Sequence, residues 1–425
     1  MSATLQQTAE NFSARYRGLA PRLPGPPAPR RRAAAWFEGH GFPDIRNEAW
    51  RFTSLRPLAG MVFSRPADHS ETQPRLLQRL PPTSAPLLVF VNGRMRADLS
   101  HLPADGQAGL EITSFANAPS FGNVPDSETE PLSALNTMLA EDGARIVVPP
   151  ATDGHTLVLL HLATGDAAQP PATHPRHQVR IDCGARLTLI EIALGDGLYL
   201  HNPMTEIVLG ERAKILHLRL QDESPIAFHL GMLRVALGAD SSYDGTLLVH
   251  GGRISRSELH AAIAGDRARF TFDAAQILGA EQLADITTVV RHLSRGASSR
   301  QTIRNVLTER AHGVFQGLIA VDRLAQKTDG YQMNKALLLS DGAQINTKPE
   351  LEIFADDVKC SHGATVGALD SDQLFYLQSR GVPKDEARAI LVNAFLSEML
   401  EAVPDAWARA LLEATVESWW KERPL

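Results

Sequence analysis

Cysteine is nearly absent from this chain: two residues, Cys183 and Cys360, in 425. That excludes a disulfide-stapled scaffold and fits a reducing, cytoplasmic compartment. It also excludes a four-thiolate zinc or iron–sulfur site built by one chain alone. Long apolar runs are missing too. Stretches such as Leu87–Val91 and Leu157–Leu160 fall well short of the ~18 residues a membrane helix needs. The opening MSATLQQTAENFSARYRG has no apolar segment of the secretory kind, so neither membrane nor export is expected. There is no excess of positive charge. A net charge of −6 and a pI of about 6.2 argue against a nucleic-acid partner. No G-x-x-x-x-G-K-[ST], G-x-S-x-G, H-E-x-x-H or paired C-x-x-C occurs, so any ATP-driven step relies on another chain for hydrolysis. What remains is ordinary globular composition, 44% hydrophobic and 21% charged. The length suits two or three domains of roughly 100–200 residues each.

Three regions separate on texture. Residues 1–143 read as helical or mixed, broken by the Pro-rich Leu19–Pro29, which no continuous helix tolerates. Arg30, Arg31 and Arg32 follow and read as a solvated helix start. Ala33–Gly39 is a short helical candidate, and Trp50, Leu55 and Leu58 share an apolar face suited to packing. Asn92-Gly93 after the apolar PLLVFV is a strong hairpin signal. Ser133–Gly143 reads as a short amphipathic helix.

Residues 144–369 change to short β-branched and alternating runs. Turn glycines at Gly184, Gly210, Gly238 and Gly265 open strand-like segments at separations of 26, 28 and 27 residues. A period of that length marks a repeat architecture whose units bury their faces on one another. Several strand positions are apolar on both faces, as in sheets covered on both sides. The pattern favours a mainly β fold with a β-solenoid core over a sandwich, whose turns recur every 8–12 residues. Residues 370–425 turn helical: Pro383 with Asp385 and Glu386 suits a helix start, and a second helix follows Pro404.

The segment DVKCSHGAT carries the most suggestive chemistry. Cys360 and His362 are two apart, so on a strand they leave the same face. A thiolate and an imidazole suit a soft or borderline metal, with further ligands from elsewhere. Lys359 and His362 are placed to lower the thiol pKa. Packing alone also accounts for Cys360, and Cys183 beside Gly184 reads as structural. Asp356 and Asp357, adjacent on a strand, would face opposite ways, and His312 reads as a turn residue. Glu350 and Glu352 share a face, which leaves open a solenoid carbohydrate enzyme with a carboxylate pair.

Three stretches then carry a resemblance: RNVLTERAHGVFQGLIAV, KTDGYQMNKALLLSDGAQINTKPELEIFADDVKCSHGATVG and LFYLQSRGVPKDEARAILVNAF. They resemble the core of the SufB/SufD family of iron–sulfur cluster assembly proteins, densely over about a quarter of the chain. NEAWRFTSLRPL and LNTMLAEDGARIVVP extend the likeness weakly. The length, the W-[RK]-[FY]-T-x-L segment and CSHGAT fit the SufD branch better than a SufB-like scaffold. The resemblance implies a right-handed parallel β-helix between helical ends and a non-enzymatic scaffold. It implies a SufB-like partner at the β-helix and a SufC-like ATPase docked on the C-terminal helices, around Pro383, Ala387, Leu391 and Phe395. It further implies that Cys360 and His362 face the SufB-like subunit, where a transient cluster or iron is held in the complex. The isolated chain is expected to carry no cofactor and to be able to pair with itself. In a third reading the partner supplies every ligand, and this chain is structural only.

Overall fold

The computed structural model describes residues 4–67, 74–102, 109–117 and 130–422. A parallel β-solenoid of about eight turns forms its centre. Its two sheets have ten and eleven strands, and the chain alternates between them. Lys214–Glu223 lies in the first sheet, Phe228–Leu237 in the second, Ser242–Gly251 in the first again. From Lys214 to Ile353 each coil thus holds two ten-residue strands, where the glycine spacing suggested one long strand per repeat.

The corner glycines have a steric cause. At Gly265 a Cβ would lie 1.9 Å from the backbone nitrogen of Ala239 in the preceding coil. Beside this column runs a stack of left-handed residues: Gly184, Arg212, Asp240, Arg267, Gly296 and Lys327, with φ between 55° and 70°. Each donates its backbone N–H to a carbonyl one coil further on, from Gly184 to Glu211 through Lys327 to Asp357, at 2.6–3.0 Å. The opposite corner mixes glycine with other residues in the left-handed region: Gly251 and Gly252 in one coil, Ala280 and Glu309 in the next two, so its glycine signal is irregular.

Neighbouring strands stack in register. Ile215, Tyr243, Phe270, Ser299, Gly330 and Cys360 form one column. His217, Gly245, Phe272, Gln301, Gln332 and His362 form the next. Both face the interior, where Tyr243, Phe270 and Phe272 join the main apolar core.

The outer faces are covered, which is why strand positions are apolar on both sides. Helices α1 (Leu5–Leu19), α2 (Pro27–His40) and α4 (Pro131–Leu139) lie over the second sheet, burying Phe12, Phe37 and Leu135 against Leu200, Phe228 and Leu230. The single turn α3 (Pro74–Leu77) and two of the three C-terminal helices cover the first sheet. Those helices are α5 (Ser371–Ser379), α6 (Lys384–Glu401) and α7 (Ala406–Glu422). Val392, Leu396, Leu412 and Trp419 pack there on Leu218, Leu248 and Ile277.

Asn92 and Gly93, at φ 46° and 76°, turn Leu87–Val91 back onto Arg94–Met95, as the hairpin signal requires. Leu87–Val91 also pairs with His155–Gly165, so the ten-stranded sheet takes in part of the N-terminal region. Arg30 departs from its expected solvated position. It is 2% exposed and donates to the carbonyls of Thr137, Met138 and Ala140, the C-terminal end of α4, where a cation offsets the helix dipole. No described helix is long and apolar enough to cross a membrane.

Candidate site at the open end of the solenoid

The two ends of the solenoid differ. At the first, the sheets finish in short antiparallel strands, Arg94–Met95 and Glu111–Ser114. At the other they finish in two long parallel strands, Gln344–Ile353 and Lys359–Gly367. These are half-buried or exposed along their length. Lys359–Gly367 carries no charged side chain after its first residue, a long edge without the usual defences against pairing. Around it Leu324, Ile353, Phe354 and Val366 stand exposed, Leu324 at 76% and Phe354 at 65%.

Cys360 and His362 sit on this last strand, at the open mouth of the two interior columns. His362 is exposed. Cys360 is half-buried: it packs against the cluster of Ile319, Val321, Ala325 and Ala355, and a Cβ on Gly330 would come within 3.3 Å of its sulfur. The thiol pKa moves upward, opposite to the expectation from Lys359 and His362. Burial is the main cause; a backbone hydrogen bond at Gly330 opposes it and Asp329 adds to it. The preceding turn is tied to the coil below, with Asp357 N–H on Gln326 Oε1 at 3.0 Å and an ion pair between Lys327 and Asp357.

Other candidates fall elsewhere. Cys183 is exposed at the corner ladder, and six coil steps separate it from Asp357. At ~4.8 Å per step that is about 29 Å, too far for Cys183 and Cys360 to share an ion. Asp356 and Asp357 lie in a turn, and His312 opens a strand with its ring on Asn346 at 2.6 Å. Glu350 is paired with Lys348 at 3.0 Å, which also reaches Glu48 at 2.8 Å. In the C-terminal helices Pro383 is exposed, Leu391 and Phe395 are half-buried, and Ala387 is fully buried. Exposed apolar side chains nearby are Phe375, Tyr376 and Ile390.

A second polar group was not anticipated from sequence. His161, His177, His201, His217 and His229 lie buried at the helix-covered end of the solenoid with Glu191 and Glu223. His201 and His229 are register neighbours in adjacent coils, 28 residues apart, so the repeat period itself was the missed signal. Burial holds His161 well below its usual value and His177 at about 4. The same cause holds His174 at about 3 and His260 and His292 at about 4. Above pH ~6.5 these rings are neutral whether the chain is folded or not. Below it the unfolded chain takes protons that the fold refuses until about pH 4. Stability therefore falls with pH across that window, by up to ~1.4 kcal/mol per unit per ring. Circular dichroism against pH is expected to show unfolding between about pH 6 and 4; an unchanged fold at pH 4 would contradict neutral burial.

Comparison with known proteins adds to this geometry. Residues 162–395, more than half the chain, match the family model described as SUF system FeS cluster assembly, SufBD core domain. The iron–sulfur cluster assembly protein SufD of Escherichia coli is 32% identical over 370 residues, covering 86% of each chain. A SufBD family iron–sulfur cluster assembly protein of Synechocystis is 32% identical over 395 residues, 88% of this chain and 86% of that one. The chloroplastic protein ABCI7 of Arabidopsis thaliana is 29% identical over 382 residues, 86% and 80% respectively.

Proposed function

The chain belongs to the SufBD family of iron–sulfur cluster assembly proteins, and from that premise we propose that it is the SufD-type, non-enzymatic scaffold subunit of a three-component complex. A SufB-like subunit seats on the open end of the solenoid, and a SufC-like ATPase docks on the C-terminal helices. The observation that carries this reading is the contrast between the ends: one closed by short antiparallel strands, the other left open at two long strands, of which Lys359–Gly367 has no charge after its first residue and is bordered by exposed apolar side chains.

At that seam Cys360 and His362 offer a thiolate and an imidazole to iron or a nascent cluster, ligand types suited to it. One chain supplies too few, so partner ligands complete the set. Burial keeps the Cys360 thiol protonated at neutral pH, so metal capture releases a proton. Closure of the ATPase would pull on Pro383 and the half-buried Leu391 and Phe395, with buried Ala387 acting as a packing point. The stacked coils would transmit that pull to the seam.

Phe354→Asp with Val366→Asp places two charges on the edge at positions 65% and 54% exposed. Co-expression with the SufB-like subunit is expected to yield separate subunits on size exclusion, with the folded chain's melting temperature unchanged. An intact complex would reject the seam. Without its partner the chain is expected to pair with itself through the same edge.

A further inference from the structure

Beneath the helices, far from the open end, the interior imidazoles surround a small cavity of about 30 Å³. His161, His201, His229 and Glu191 line it, together with Gly231 and Arg219. That volume suits a single water or ion.

The hydrogen bonds fix which ring nitrogens are available. Glu223 accepts from His201 Nδ1 at 3.0 Å and from His229 Nδ1 at 2.6 Å. A carboxylate on Nδ1–H leaves Nε2 as the bare lone pair, the arrangement that orients metal-binding histidines. Glu223 does not line the cavity, whereas both rings do. Gly231 keeps room beside His229: a Cβ there would sit 2.6 Å from Nε2.

His161 is 3% exposed, yet neither ring nitrogen has a hydrogen-bond partner, and its Nε2 lies 3.8 Å from Glu191 Oε1. Leaving such a group unsatisfied is costly, and the groups that would satisfy it face the cavity. His177 lies with His161 and Glu191, one ligand atom of each within 4.8 Å of the others, but its tautomer differs. Its Nδ1 accepts the backbone N–H of Ala144 at 3.0 Å, so its proton sits on Nε2.

With neutral imidazoles, Glu191 and Arg219 balance on the cavity wall, and Glu223 behind the rings leaves the group one negative charge in excess. We propose that this cavity binds one first-row divalent transition-metal ion through His161, His201, His229 and Glu191, with Glu223 holding two of the rings. Imidazole and carboxylate together suit that class of ion. The site is separate from the open end and does not depend on the role assigned there.

The test uses the full chain carrying Cys183→Ser, Cys360→Ser and His362→Ala, which removes the thiols and the exposed imidazole of the other site. After chelation it is titrated anaerobically with Co(II), then Fe(II). One equivalent per chain is expected, with a cobalt spectrum of nitrogen and oxygen ligation and a raised melting temperature. Affinity should fall at least tenfold in His229→Gln and in Glu191→Gln. Absence of stoichiometric binding, or binding in both variants as tight as in the parent chain, means that water alone fills the cavity and overturns the proposal. Should either variant fail to fold, nitrogen NMR of the parent chain decides: Zn(II) shifts the ring nitrogens of His161, His201 and His229, or the proposal falls.

Discussion

The His362→Ala substitution is expected to cut cluster assembly by at least about 10–100-fold while the complex still forms. Losing an outer-shell partner already costs that much in metal affinity, and a direct ligand costs no less. His362 is exposed on the last strand, so its removal takes away little packing. The readout is the activity of a cluster-dependent enzyme under iron limitation, with co-purification of all three subunits as the control. Undiminished activity would remove His362 from the chemistry. Cys360→Ala separates ligation from packing, because Cys360 also packs against the cluster that holds Ile319 and Ala355. If both residues hold the same ion, the double variant loses no more than the worse single one.

Arg256→Leu is expected to destabilise the folded chain by about 3–5 kcal/mol, because it strands buried carboxylates. The Arg256 side chain donates to Glu258 at 2.6 Å and pairs with Asp285, and all three are buried. Its guanidinium lies 3.9 Å from the ring centre of Trp50, while Thr53 hydrogen-bonds Asp285 and Gln316 donates to the carbonyl of Ala49 at 3.0 Å. These contacts tie the segment around Trp50 to the second sheet. Urea unfolding should show the lowered midpoint, and limited proteolysis should cut near residues 47–58 first. A loss below about 1 kcal/mol would mean that the network contributes little beyond a surface ion pair.

Much of the solenoid was legible because its corners are sterically strict. Gly238 and Gly265 sit where the preceding backbone leaves no room for a side chain, and that repetition survives in sequence. The opposite corner was harder to read, since Gly251 and Gly252 turn one coil there while Ala280 and Glu309 take the left-handed conformation in the next two. Helix α5 falls in the stretch expected to be helical but was not singled out there: Phe375 and Tyr376 face solvent, and Leu374 and Leu377 are only half-buried, so no apolar periodicity marks it. Its one local signal was Asp370, whose side chain caps the N–H groups of Asp372 and Gln373. Cys360 and His362 were legible from residue type and spacing. Their different surroundings were not, because Cys360 packs against a cluster drawn from an earlier coil, Ile319 among it, some forty positions back in the chain. The histidine cluster likewise forms only when strands from successive coils stack.

Photo-cross-linking tests most directly whether the uncapped mouth of the stack receives another polypeptide. A benzophenone amino acid replaces Ala364 in one preparation and Thr113, on the blunt end, in another, each co-expressed with the SufB-like and SufC-like subunits. Irradiation is expected to join position 364 to the SufB-like subunit and to leave position 113 unlinked. Adducts from position 113 alone would place the partner on the wrong end and undo the account.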